Sequence, residues 1–269
     1  MISGDESERE FHNVWALSSS PEAVNVSGSW SNLGSPESYW ISQVLGDVSG
    51  LNVLELGTGL GEGAVYFASL GAQVTATDIS PEMLNVTRAV ARQHNVELRT
   101  AVASATNLQA FADSSFDIVY AANLLHHVDI QRCISEIHRV LRPGGIMATW
   151  DPLQYNPIIN VYRGKASSMR TPDEHPLTRA DLRLIKEQFD RCEVRFFWLT
   201  ALMIFIRFYF IDRLSPNKVR YWKLVVERQS KHAGFLKLSH RLDRVLLLLL
   251  PPIKWLAWNV AVVAVKNPK

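Results

Sequence analysis

Val53-Leu54-Glu55-Leu56-Gly57-Thr58-Gly59-Leu60-Gly61-Glu62-Gly63 is the stretch on which the reading of this chain turns. An apolar strand ends on an acid, glycines follow at alternate positions, and a helix is expected over 61–70. Glycine at a strand-to-helix turn leaves backbone that a ligand can touch directly. A dinucleotide fingerprint would need its third glycine where Glu62 stands. An acid so near a helix N-terminus would also repel a pyrophosphate. The loop suits a nucleoside joined to a sulfonium-bearing amino acid, with no phosphate.

Working outward, short apolar runs recur at 51–56, 72–77, 116–121 and 146–150, with a weaker one at 96–102. Helical signals separate them. Ser80 can cap a helix over 81–94 with Pro81 in its first position, and 129–141 is a helix stopped by Pro143-Gly144-Gly145. Continuous rather than alternating apolar strands predict burial on both faces, as in a parallel sheet wrapped by helices. The fold class expected is α/β, a doubly wound, seven-stranded, mostly parallel sheet. Asp78 ends the second strand, where an acid in such sheets accepts hydrogen bonds from ribose hydroxyls, and Ile79 would lie against the base.

The flanks are less regular. Residues 1–50 read as a polar, turn-rich N-terminal cap, 51–150 as the ligand-binding core, and 151–269 as an acceptor-side half of the same domain. In that last part, 151–177 reads as a long connection, 178–189 as a helix capped by Thr178, and 192–202 as a strand. A helical insertion over about 203–250 precedes a last strand at 258–266. The insertion is basic and amphipathic between 218 and 244. It could settle on anionic lipid, but the favoured reading packs its apolar stripe on the sheet and leaves its charges in water.

Composition narrows the classes. Apolar residues at 47% and charged residues at 20% describe a globular chain, and a net charge of +2 does not suggest a nucleic-acid partner. Cys133 and Cys192 stand far apart, so neither a disulfide framework nor a metal site is expected. The acidic start (Asp5, Glu6, Glu8, Glu10) is unlike a signal peptide, and no run reaches the roughly 18–20 apolar residues of a membrane span, so a cytoplasmic protein is expected.

In order, the glycine loop, Asp78, Ser115-Phe116-Asp117-Ile118-Val119, Leu125-His126-His127-Val128 and Arg139-Val140-Leu141-Arg142-Pro143-Gly144-Gly145 make the chain resemble a class I S-adenosylmethionine-dependent methyltransferase of the type 11 group. The resemblance is close over about 50–150 and loose elsewhere. It implies a Rossmann-like methyltransferase fold with S-adenosylmethionine as cofactor. Glu55, Thr58 and the Gly57, Gly59 and Gly61 backbone would hold its methionine part and Asp78 its ribose. Ser104 stands where the family usually has an acid near the adenine, so that contact falls to the Ala105 backbone, and Asn123 would lie near the donor.

Residues past the fourth and fifth strands are acceptor-side candidates: His126, His127 and Asp151 for catalysis, with Tyr155 and His175 as further options. Being adjacent, His126 and His127 cannot both face a pocket on a regular backbone. Arg163 and Arg170 could meet an acidic acceptor, although solvated arginines are commoner. The function expected is methyl transfer to a small-molecule acceptor, at oxygen before carbon or nitrogen. Alternatives are a lipid-like or isoprenoid acceptor at a membrane surface, an NAD(P)-dependent oxidoreductase, and a binding module without chemistry.

Overall fold

The apolar runs pair into one sheet. In the computed structural model, which describes residues 4–166, 170–171 and 174–267, β1 (Asn52–Leu56), β2 (Gln73–Asp78), β3 (Arg99–Val102), β4 (Phe116–Ala122) and β5 (Leu141–Pro152) run parallel. β6 (Arg191–Phe197) and β7 (Asn259–Val265) complete the order β3-β2-β1-β4-β5-β7-β6, with β7 antiparallel to both neighbours. The expected doubly wound, seven-stranded, mostly parallel sheet is present. Strand order reverses beside β1, which opens a crevice at the carboxyl ends of β1 and β4.

One punctuation signal needs correcting. Pro143-Gly144-Gly145 does not follow a helix into a loop, because β5 already begins at Leu141. The register jumps from Phe116↔Leu141 to Ile118↔Ile146, so the three residues form an irregular stretch within the strand.

The N-terminal 50 residues are more ordered than their polarity suggests. α1 (Gly4–Leu17) packs on the sheet's flanking helices through Ala16, and α2 (Pro36–Leu45) buries Trp40 and Ile41. α3 (Glu62–Ser69), α4 (Pro81–Gln93) and α5 (Ile130–Val140) are the crossovers. Ser80 accepts from the Met83 N–H at 3.1 Å, as its sequence predicts, and Asp129 caps α5 through Arg132 N–H at 3.1 Å. α5 buries Ile130, Cys133, Ile134, Ile137 and Val140, the helical spacing of one apolar face.

The connection 151–177 contains a helix that the sequence reading missed, α6 (Pro157–Lys165), capped by Asn156. Pro172 and Asp173 of the same stretch lie outside the described residues. α7 (Arg179–Gln188) starts at Thr178 in a full capping box with Asp181.

Three helices, α8 (Met203–Phe210), α9 (Tyr221–Arg228) and α10 (Ala233–Leu249), lie between β6 and β7 as the expected insertion. α8 and α9 join Trp198, Phe205, Phe208, Tyr221 and Leu224 in an apolar cluster. α9 buries Tyr221 and Leu224 as the favoured reading has it, whereas α10 turns only part of its apolar side inward. Its buried residues are Leu236, Ser239 and Asp243, while Leu238, Leu242, Val245 and Leu249 face outward. Asp243 is the hook. It accepts from the backbone N–H of Leu199 at 3.0 Å and of Thr200 at 2.7 Å, and from the Thr200 hydroxyl.

Replacing Asp243 with Ala should strand those part-buried donors and destabilise the fold by about 1–3 kcal/mol. Urea unfolding measures this, and an unchanged midpoint would show that the hook does not hold α10.

Candidate active site

The loop after β1 is sewn to the end of β2. Thr58 N–H donates to the Thr77 carbonyl at 2.9 Å, and Gly59 N–H donates to Asp78 Oδ2 at 3.0 Å. Asp78 Oδ1 accepts from Ser80 N–H at 2.9 Å, so backbone fixes both carboxylate oxygens while the group still faces the crevice. Two glycines are there for room. Gly61 has φ +88, and a Cβ on it would lie 3.0 Å from the Thr87 backbone, so its absence lets α3 approach α4. At Gly63 an added Cβ would come within 2.0 Å of Glu55 Oε1, so the carboxyl of Glu55 can occupy that place only because no side chain does.

Burial governs the charges here. It lifts the Glu55 carboxyl from 4.5 to about 8; the Thr58 hydroxyl, which donates to it at 2.7 Å, opposes the rise and the charges of Glu62 and Asp78 assist it. Asp78 is likewise raised by burial, against the pull of His12 and the N–H groups of Ser80 and Gly59.

A cavity of about 290 Å³ opens over these strand ends. Every donor-side residue singled out in the sequence lines it except Gly61, whose role is packing against α4. Ser104, half-buried, shares a hydrogen bond with the Thr106 hydroxyl at 3.0 Å, and Ala105 beside it is buried.

His126 and His127 both line the same cavity, which adjacent residues can do only where the backbone departs from regularity. The backbone there is not regular: Asn123 has φ +53 and 125–127 is a 3-10 turn, which tilts the two rings 45° to each other at 4.1 Å. Asp151 stands behind them, fully buried and outside the wall, with Oδ1 2.9 Å from His126 Nδ1. Burial, and then the neighbouring charge of His127, lowers His126 well below the ordinary histidine value, so its ring is neutral at pH 7. Burial raises Asp151 to about 7, with the Thr149 hydroxyl opposing.

His127 Nδ1 lies 3.1 Å from Glu8 Oε1 and its Nε2 lies 3.9 Å from Glu174 Oε1. His126, His127 and Glu174 offer ligand atoms within 4.8 Å of one another, the spacing a metal ion would require. Glu8 and Arg170 already engage two of the three. Tyr155 is elsewhere, its hydroxyl accepting from Arg179 N–H at 3.0 Å, and the His175 N–H donates to the His126 carbonyl at 2.8 Å.

The arginines are not solvated as the commoner pattern has it. Arg163, Arg170 and Arg220 all line the cavity. Burial, and next the charge of Arg170, pulls Arg163 down to about 10, and among the described residues its buried Nη1 has no hydrogen-bond partner. Among the described residues one carboxylate, Glu174, serves this group, and it is paired with Arg170. Arg220 stacks on Trp15 at 4.0 Å. The sequence reading also missed Glu8, His12 and Trp15. Their spacing of four and three residues on one face of α1 was the available signal.

Residues 54–149 match the family model described as a methyltransferase domain. Over 100 residues the chain is 39% identical to a ubiquinone biosynthesis O-methyltransferase of Xanthomonas oryzae pv. oryzae, covering 37% of this chain and 42% of that protein. It is also 39% identical over 101 residues to a malonyl-[acyl-carrier protein] O-methyltransferase of Pectobacterium atrosepticum, covering 37% of this chain and 38% of that protein. The matches thus span about two fifths of these relatives. Among solved structures, Haemonchus contortus phosphoethanolamine N-methyltransferase 2 with S-adenosylhomocysteine superposes with TM-score 0.61 at 18% identity, covering 100% of this chain and 61% of that one. The [4+2]-cyclase SpnF superposes with TM-score 0.58 at 16% identity, covering 99% and 97%.

The raised Glu55 carboxyl has a thermodynamic signature. A folded-state value of about 8 above an ordinary 4.5 means that the folded chain holds a proton which the unfolded chain releases across that window. Its contribution is therefore full below pH 4.5 and is lost as pH rises through 8. Glu55→Gln should flatten the fall in melting temperature between those limits, as calorimetry at a series of pH values would show; an unaltered slope would contradict this.

Proposed function

We propose that this chain, whose residues 54–149 carry a class I methyltransferase domain, transfers a methyl group from S-adenosylmethionine to a small-molecule oxygen. The observation that carries the reading is the loop after β1. It meets two buried carboxyls, Glu55 and Asp78, at the mouth of a cavity, and its glycines have the wrong spacing for a dinucleotide. A cationic amino acid and sulfonium suit Glu55, and a ribose suits Asp78. The O-methyltransferase names of the two curated relatives support oxygen as the acceptor atom.

The chemistry asks little of the protein beyond alignment and dryness. Held by Glu55, the glycine loop and Asp78, S-adenosylmethionine would supply an activated methyl group to an acceptor oxygen, the electron pair of the broken carbon–sulfur bond staying on sulfur. The hydroxyl proton goes to His126 Nε2, the ring nitrogen left free when Nδ1–H donates to Asp151. Asp151 acts through His126 and is a positioning residue. Asn123, Ile79 and the Ala105 backbone complete the donor side in this reading.

The arginine group supports an acceptor that carries an acidic function. Among the described residues three guanidinium groups share one carboxylate, and gathering buried cations with so little opposite charge is costly. A carboxylate or phosphate on the acceptor would meet the cavity-lining guanidinium groups of Arg163 and Arg220.

Addition of S-adenosylhomocysteine should raise the melting temperature and NADH should not, and the reverse result would overturn the reading. Asp78→Ala should weaken S-adenosylhomocysteine binding by about 1–3 kcal/mol in calorimetry, with unchanged affinity counting against the ribose role. In a screen of hydroxy acids paired with their amides, using labelled donor, acids should be preferred. Arg163→Met should lower kcat/KM for the preferred acid about tenfold or more while leaving the amide unaffected.

A further inference from the structure

The outward side of α10 has no counterpart in the site just described. Phe235, Leu238, Leu242, Val245 and Leu249 recur every three or four residues, which places them in one line along the helix. All five are exposed, Leu238 and Leu249 at 68% each, and Leu248 and Leu250 extend the apolar end at 78% and 52%. Scattered exposed leucines are ordinary on a protein surface, whereas a continuous stripe marks an interaction surface.

The charges along the stripe are of one sign. Lys237, Arg241 and Arg244 are exposed, and at 100° per residue they fall together along one border of the apolar line. Asp243 is the one acid of α10, and it is turned inward to the backbone of Leu199 and Thr200. His240 also points inward, with Nε2 3.2 Å from the Leu33 carbonyl. An antiparallel second copy seated on this stripe would set the two cationic borders side by side. An apolar protein groove would leave those cations without partners.

We propose that α10 is an interfacial helix that docks the protein on an anionic lipid bilayer, its leucines entering the acyl boundary and Lys237, Arg241 and Arg244 meeting lipid phosphates. No helix among the described residues is long and apolar enough to cross a membrane, and Pro251-Pro252 ends the apolar run, so the helix lies along the surface. Asp243 is the complementary device, since it fixes α10 to the protein by polar bonds and leaves the stripe free.

The test uses the purified full chain with vesicles of phosphatidylglycerol and phosphatidylcholine, or phosphatidylcholine alone. It is independent of the methyl-transfer reading. The protein should sediment with the anionic vesicles, and binding should fall about tenfold or more on neutral vesicles or in about 0.5 M salt. The double variant Leu242→Glu, Leu249→Glu should lose binding to a similar degree while keeping the wild-type circular dichroism and melting temperature, because both side chains are exposed. Three results would overturn the proposal: no sedimentation with anionic vesicles, equal binding by the double variant, or a dimer in sedimentation velocity that the variant dissolves without any vesicle binding.

Discussion

The carboxyl of Glu55 occupies space that a side chain at residue 63 would fill, and the rest of the site follows from this crowding. One strand must end on an acid, and the next helix must begin with a residue that has no side chain in the way. Tyr120 closes the same space from β4, 2.9 Å from where that Cβ would stand. With the turn so constrained, Thr58 and Gly59 reach the end of β2 and fix Asp78. The two carboxyls are therefore carried by adjacent parallel strands and held by backbone, which is why their geometry can stay fixed without a bound ligand.

The same sheet serves more than one reaction. A [4+2]-cyclase and an N-methyltransferase superpose on nearly all of this chain, at identities too low to carry chemistry between them. What argues for a reaction is local. His126 is neutral, oriented by a carboxyl behind it, and exposed to the cavity that the glycine loop also faces. The asymmetry between an acidic donor end and a basic acceptor end gives the cavity a direction.

Much of this was written in local sequence, and the reasons for the exceptions are physical. The strands, the cap at Ser80 and the capping box at Thr178 depend on residues within four positions of each other, so they could be read directly. α1 is hidden in the sequence because the face it turns inward carries Glu8, His12 and Ala16, a polar pattern that turns share. Which side of α10 faces inward is not legible locally. Amphipathic spacing shows that one face is apolar, but the partners that orient this helix, Leu199 and Thr200, are more than 40 residues from Asp243. The burial of Arg163 and Arg170 has no local signal, because the cavity they line is closed by residues far away in the chain, Trp15 and Arg220 among them.

Glu8 bears on the kinetics of the site. Burial alone would raise its carboxyl, yet hydrogen bonds from His12, His127 and Thr171 and the pull of His127 hold it far below the usual range. One ionised group thereby clasps the first helix to two stretches of chain more than 100 residues away. Any molecule that leaves the cavity past α1 must first loosen a charge-assisted contact. Residence time in the site is then tied to how firmly the N-terminal helix is seated, and turnover can be limited by unclasping as readily as by the bond that is made.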